Sequence, residues 1–73
     1  MKQEYKYRIS SDIDYDELIC ELYIENEPCL IIFLEKNKQR ILFLDGIKAK
    51  NVVMEELVEN IRSASDALMR HIK

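Results

Sequence analysis

An unbroken run of six apolar residues, Cys29 to Leu34, is the feature that most restricts how this chain can fold. A strand of this composition needs both of its faces covered, so it belongs in the middle of a sheet. That sheet must have a strand on either side and a further layer on at least one face. In a chain of 73 residues these requirements leave room for a single domain, residues 1–73.

Three other segments have the pattern of strands. Tyr5 to Ile9 alternates apolar and basic residues, Glu17 to Glu25 is largely alternating apolar and acidic, and Ile41 to Leu44 is apolar on both faces. Short turns are predicted at Asn26-Glu27 and at Lys36 to Lys38. Strands joined this closely pair as antiparallel neighbours, which predicts a four-stranded meander.

The last third of the chain has the periodicity of a helix that runs from Val53 or Met54 to about Ile72. Its apolar residues recur mostly at steps of three and four, which places them on one face. These residues are Met54, Leu57, Val58, Ile61, Ala64, Leu68 and Ile72. A short extended piece around Ile47 to Val53 is expected before it. The predicted fold is α+β, a four-stranded antiparallel meander with one C-terminal amphipathic helix packed on one face.

One helix can cover only one face of such a sheet. The other face should expose Ile19, Tyr23 and alternate residues of the Cys29 to Leu34 run. Exposed apolar area of this extent marks an interface, so either two copies pair sheet to sheet or a different partner covers the face. Both sides of the central strand are apolar, and the side that meets the helix stays open at this point.

The residues that could carry catalysis or bind a metal are few. Cys20 and Cys29 lack CxxC spacing, and the predicted hairpin sets Cys20 opposite Phe33, so we expect two reduced thiols. With His71 they fall short of the four ligands of a structural zinc site. Gly46 is the only glycine, which excludes a glycine-rich phosphate loop. We predict no metal, no cofactor and no enzymatic activity.

The chain shows no pattern of export or membrane insertion. The segment Met1 to Lys6 lacks the apolar core of a secretion signal. The longest apolar run is far shorter than the roughly 20 residues of a membrane span. We therefore expect a cytoplasmic protein with no membrane partner.

Charge is unevenly distributed, although the net charge is only −3. Between Ser10 and Glu35 there are eight acidic residues and no Lys or Arg, whereas the chain from Lys36 onward has eight bases and five acids. An acidic patch argues against a nucleic-acid partner, because phosphate binding depends on Lys and Arg. It suits a basic protein partner. The alternatives are an acidic surface that only keeps a small protein in solution, and a surface that mimics nucleic acid.

The segment Ile9 to Leu18, with the sequence ISSDIDYDEL, is followed by Glu21-Leu22-Tyr23. This combination resembles a pattern in small bacterial immunity proteins encoded beside polymorphic toxins, including those of contact-dependent growth inhibition. In that family the opening motif leads into an acidic strand, a hairpin and a C-terminal amphipathic helix. Two departures leave the subfamily and the cognate toxin open. The second turn, Lys36 to Lys38, replaces Asn-Gly, and Met54 begins the helix without an acidic cap or a following aromatic residue.

The resemblance implies a small immunity protein that binds a cognate toxin in the cytoplasm and neutralises it by occluding its active site or another surface it needs. Many such toxins are basic nucleases, and an acidic surface complements them. The predicted contact residues are the carboxylates and tyrosines of the motif: Asp12, Asp14, Tyr15, Asp16, Glu17, Glu21 and Tyr23.

Structural roles compete with this functional interpretation. Tyr15 and Tyr23 are equally consistent with ordinary side-chain packing in the sheet, and Asp12 with a turn cap that accepts hydrogen bonds from nearby backbone N–H groups. For the whole chain, the alternative is a homodimeric structural or adaptor module without catalytic activity, joined through its free sheet face.

Overall fold

The computed structural model describes residues 3–12 and 14–72; Met1, Lys2, Ile13 and Lys73 lie outside the described residues. Four antiparallel strands form one sheet in the order β1-β2-β3-β4, and a C-terminal helix packs against it. The predicted α+β meander with one helix is therefore confirmed. The elements are β1 Tyr5–Ser10, β2 Ile19–Ile24, β3 Glu27–Glu35, β4 Lys38–Phe43, a 3₁₀ turn Asp45–Ile47 and α1 Met54–His71.

The core lies between α1 and one face of the three strands β1, β2 and β3. Alternate residues of a strand point to opposite faces, and the fully buried set of the central strand β3 that meets the helix is Leu30 and Ile32. This settles which side of the apolar run the helix covers. The buried cluster consists of Cys20, Leu22, Leu30, Ile32, Ala64 and Leu68.

Both tight hairpins use two-residue loops whose central residues have positive φ. These loops are Glu25-Asn26 and Lys36-Asn37, with φ between 53° and 67°. Two positive φ values in a two-residue loop are the geometry of a type I′ turn, whose twist matches that of the paired strands. The predicted turn at Asn26-Glu27 is wrong by one residue, because Glu27 already pairs with Ile24.

A register shift between Leu22 and Tyr23 changes the pairing of β2 with β3. The displaced turn alone would set Cys20 opposite Ile31, and the shift moves its partner to Ile32, one residue from the predicted Phe33. The cysteines do not meet, and both Cys20 and Cys29 are buried free thiols, as the sequence predicted. A bulge of this kind lets Pro28 enter the strand beside Tyr23, since proline cannot take part in a regular central ladder.

The fourth strand lies at one edge of the sheet. The exposure of its side chains and the connection that follows it both differ from the prediction. All six residues of β4 are exposed, although Ile41 to Leu44 reads as a strand apolar on both faces. The connection after it is not an extended piece: a 3₁₀ turn at Asp45–Ile47 is followed by irregular chain up to Val53. Gly46 lies so close to the carbonyl oxygen of Pro28 that a Cβ atom there would collide with it.

Helix α1 begins and ends where its periodicity predicts. Glu55 and Glu56 lie in its first turn and Arg70 and His71 in its last, which complements the helix dipole. Ala64, Ala67 and Leu68 are its buried residues. Met54 is 70% exposed and Val58 48%, so these two do not belong to the buried face on which the sequence placed them. Within the described residues, no helix has the length and apolar character needed to cross a membrane.

Candidate protein-binding surface

The connection between β1 and β2 carries four of the predicted contact carboxylates, and we call residues 11–18 the acidic loop. Its carboxylates are Asp12, Asp14, Asp16 and Glu17, and all four are exposed. The loop is shaped by Asp12, whose Oδ1 accepts a hydrogen bond from the Asp14 N–H at 2.9 Å while its carbonyl accepts one from the Tyr15 N–H at 3.1 Å. This is the turn-capping role considered for Asp12 as an alternative.

Tyr15 anchors the acidic loop to the sheet. Its ring lies 4.8 Å from that of Phe33, centroid to centroid, with the two planes tilted by 47°. Phe33 points to the face of β3 opposite the helix, so the loop folds over one end of that face. Ile19, one residue before the Cys20–Ile32 pair, is only 1% exposed. The prediction that Ile19 is exposed on the free face is therefore wrong, because the loop covers this end.

Two grooves flank Tyr15. One, of about 420 Å³, lies between the acidic loop and the end of α1, where Leu18, His71 and Ile72 line it. The other, of about 390 Å³, lies between the loop and the β3–β4 hairpin, where Phe33 and Lys36 contribute. Tyr15, Asp16 and Glu17 line both grooves. Each groove thus combines apolar walls with carboxylates, which suits the long side chain of a lysine or arginine.

Glu21 lies outside this loop and is already engaged. It sits on β2 directly opposite Arg8 of β1, and its Oε1 accepts hydrogen bonds from Arg8 Nη2 at 2.8 Å and Nε at 3.2 Å. Ser10 Oγ lies 3.4 Å from the same oxygen. The hydrogen bond to Glu21 raises the pKa of the Arg8 guanidinium. Glu21 therefore presents little unbalanced charge to a partner.

Tyr23 is likewise separated from the acidic loop. It is half-buried and lies four residues beyond Ile19 on β2, which corresponds to about 13 Å along the strand. It pairs with Lys6, and the groove beside it is lined by Lys6, Tyr7, Arg8 and Asn26. The surroundings of Tyr23 are basic and aromatic, so the seven predicted contact residues form two separate groups.

The acidic stretch of the sequence does not fold into one acidic surface. Glu25 and Glu27 lie at the opposite end of the sheet from the acidic loop, and Glu27 Oε1 is 2.8 Å from Lys50 Nζ. Glu35 lines the second groove together with Asp14, Asp16 and Glu17, but its charge is balanced by Arg40, whose Nε lies 3.4 Å from Glu35 Oε1. The prediction of a single patch of eight negative charges is therefore wrong. The four carboxylates of the acidic loop remain together, and in the described part of the chain none of them forms a salt bridge.

The site offers charge, hydrogen-bond acceptors and two aromatic rings, those of Tyr15 and Phe33. Among residues 3–12 and 14–72, no three His, Cys, Asp or Glu side chains come together as a metal site would need. His71, the one histidine, lines the first groove, and its Nδ1 lies 2.9 Å from the Ala67 carbonyl oxygen. The expected lack of enzymatic activity stays a prediction.

Some contacts of this surface were not anticipated from the sequence. The Arg8–Glu21 pair could have been found by aligning the two strands across the β1–β2 connection, since both residues occupy the polar face. No local signal joins Tyr15 to Phe33, which are 18 positions apart and meet only through the fold. No protein-family model, curated protein or solved structure matches the chain.

Proposed function

We propose that this chain is a protein-binding inhibitor that neutralises a basic protein, in the manner of an immunity protein acting on a toxin, through its acidic loop. The observation that carries the proposal is the loop itself. Four exposed carboxylates project from a segment held by the Asp12 turn and by the Tyr15–Phe33 contact. A loop fixed in this way loses less conformational freedom on binding than a flexible acidic tail would.

The grooves beside Tyr15 define the partner's chemistry. A lysine or arginine of the partner can lay its aliphatic stem along Leu18 or Phe33 and bring its charge to Asp16 and Glu17, which line both grooves. Surface charge of this kind accelerates association with a basic partner and weakens as salt screens it. Tyr15 supplies rigid apolar area with a hydroxyl at its tip, a combination frequent at interface hot spots.

The experiment begins with tagged protein used to retain binding partners from cells of its own source at low and high salt. The test variant is Asp14→Asn/Asp16→Asn/Glu17→Gln, which removes the loop charges but leaves Asp12 to hold the turn. The matched control is Glu25→Gln/Glu59→Gln/Asp66→Asn, three exposed carboxylates elsewhere with the same change in net charge. The proposal expects one basic polypeptide retained by the wild type and the control and lost from the test variant.

The inhibitory role needs a second readout. Expression of the retained polypeptide alone should arrest growth, and co-expression of this chain should restore it, whereas the loop variant should restore it poorly. If the retained polypeptide is harmless when expressed alone, this chain still binds it, but the proposal that this chain neutralises a toxin is refuted. Equal retention by the loop variant and the control would refute the role of the acidic loop.

A further inference from the structure

Strand β4 forms an open edge of the sheet. Ile41, Leu42 and Phe43 are 40%, 47% and 57% exposed. An edge strand presents unpaired N–H and C=O groups to any strand of matching length, and proteins often blunt such edges with lysines, proline or a bulge. β4 contains no proline, its register with β3 runs without a shift, and its two charges, Lys38 and Arg40, leave Ile41 to Phe43 uncharged. This edge is therefore available for pairing.

Exposed apolar side chains of the helix adjoin this edge. Gln39 Nε2 of β4 donates a hydrogen bond to the Ser65 carbonyl oxygen at 3.3 Å, so the flank of α1 that carries Ser65 faces β4. Val58 and Met69 lie seven residues before and four residues after Ser65, which puts them on the same flank. They are 48% and 43% exposed. Edge and flank together form a surface that carries these exposed apolar side chains, interrupted on the helix by Arg62 and Ser65.

We propose that this surface binds a second copy of the same chain, with β4 paired antiparallel to β4 about a two-fold axis at Ile41. The Leu44 N–H donates to the Cys29 carbonyl at 2.9 Å, and backbone groups alternate in direction along a strand. Gln39, Ile41 and Phe43 therefore turn their N–H and C=O groups away from β3. These three positions are symmetric about Ile41, so two-fold pairing satisfies every outward polar group of the strand.

The charges of β4 select the register. Lys38 and Arg40 are its only charged residues. In the Ile41-centred register they lie opposite Leu44 and Leu42 of the second copy, where their aliphatic stems cover apolar side chains. A register centred on Arg40 would set two guanidinium groups directly opposite each other, which is destabilising. An acidic strand of another protein would be attracted less strongly by Arg40, since Arg40 already pairs with Glu35 within its own chain.

The expected dimer is weak and separate from the acidic loop. A stable interface buries about 800 Å² on each partner, and pairing of one six-residue strand with a few half-exposed side chains buries less. We expect a dissociation constant of roughly 10–100 µM. None of the acidic-loop carboxylates takes part, so the dimer and the proposed inhibitory function can fail independently.

Sedimentation velocity over about 5–500 µM tests the proposal. Ile41→Lys places two lysines against each other across the axis and should stay monomeric over the whole range. Tyr7→Lys, a change at a 44% exposed position on the other edge strand, should dimerise like the wild type. Tyr23→Lys, on the sheet face away from the helix, should also dimerise. Monomeric wild type at every concentration, or a dimer lost in Tyr23→Lys and kept in Ile41→Lys, would overturn the proposal.

Cross-linking tests the register directly. Ile41→Cys should form a covalent dimer on mild oxidation, because the two positions face each other. Leu42→Cys should cross-link much more slowly, because Leu42 lies opposite Arg40 of the second copy. The native Cys20 and Cys29 have no exposed surface, so the wild type treated in the same way gives the background level of covalent dimer. Equal rates for the two variants, or no covalent dimer from either, would contradict the Ile41-centred pairing.

Discussion

Lys36 occupies the left-handed backbone region, with φ of 53°, at the first position of the β3–β4 turn. A lysine there carries a steric cost that asparagine tolerates better. Lys36→Asn should therefore stabilise the protein by about 0.5–1 kcal/mol, measured as a higher urea midpoint with an unchanged slope. The matched control is Lys38→Asn in β4, which has no positive φ and should bring no gain. A gain of the same size in both variants would contradict this interpretation.

The buried thiol of Cys20 should make the fold less stable at alkaline pH. Its burial, with a smaller contribution from Glu21, raises the pKa of the thiol from 9.0 to about 11. Above pH 9 the unfolded chain therefore loses a proton that the folded chain keeps, and stability falls between pH 9 and pH 11 by up to about 2 kcal/mol. Urea unfolding at about pH 8 and about pH 10.5 measures this loss.

The control for this effect is Cys20→Ala, which lowers stability at both pH values but should lose less between them. The other groups that titrate in this range are common to both proteins. The comparison therefore uses only the difference between the two proteins in the stability lost from about pH 8 to about pH 10.5. Burial also raises the pKa of Cys29, which leaves a smaller loss of the same sign in the variant. If the wild type and Cys20→Ala lost the same stability between the two pH values, Cys20 would not be the cause of the loss.

At the scale of elements, the two flanks of α1 should differ sharply in their contribution to stability. Leu68 has no exposed surface and belongs to the core cluster, whereas Met69 is 43% exposed. Leu68→Ala should cost about 2–5 kcal/mol through lost burial and the cavity left behind. Met69→Ala should change stability by less than about 0.5 kcal/mol. Thermal or urea unfolding at low protein concentration measures the stability of both variants. Similar losses of stability in Leu68→Ala and Met69→Ala would contradict the assignment of Leu68 to the buried flank.

The element types follow from sequence pattern, but their environments do not. Three- and four-residue spacing predicted both ends of α1, yet it could not show that Met54 and Val58 face away from the core. The β2–β3 turn was misplaced because Glu25 adopts positive φ, which a glutamate gives no sign of in sequence. The displaced turn and the register shift beside Tyr23 together set Cys20 opposite Ile32, and only the shift has a local signal, Pro28, which a regular central ladder does not accommodate.

At the scale of the whole molecule, sequence proximity of charges was a poor guide to the surface. The acidic residues of the stretch are distributed over both ends and one face of the sheet, where Arg8, Arg40 and Lys50 balance three of them. Only the acidic loop keeps its carboxylates together, because a single connection carries them all. The candidate site could thus be predicted where it is local to one loop, and not where it depends on strand pairing.

The most direct test of the central claim is the affinity of the purified partner for three forms of this chain, measured by titration calorimetry at low and high salt. The wild type and Glu25→Gln/Glu59→Gln/Asp66→Asn should bind alike and weaken together as salt rises. Asp14→Asn/Asp16→Asn/Glu17→Gln should bind at least about tenfold more weakly and respond less to salt. Equal affinity of the two triple variants at both salt concentrations would contradict binding through the acidic loop.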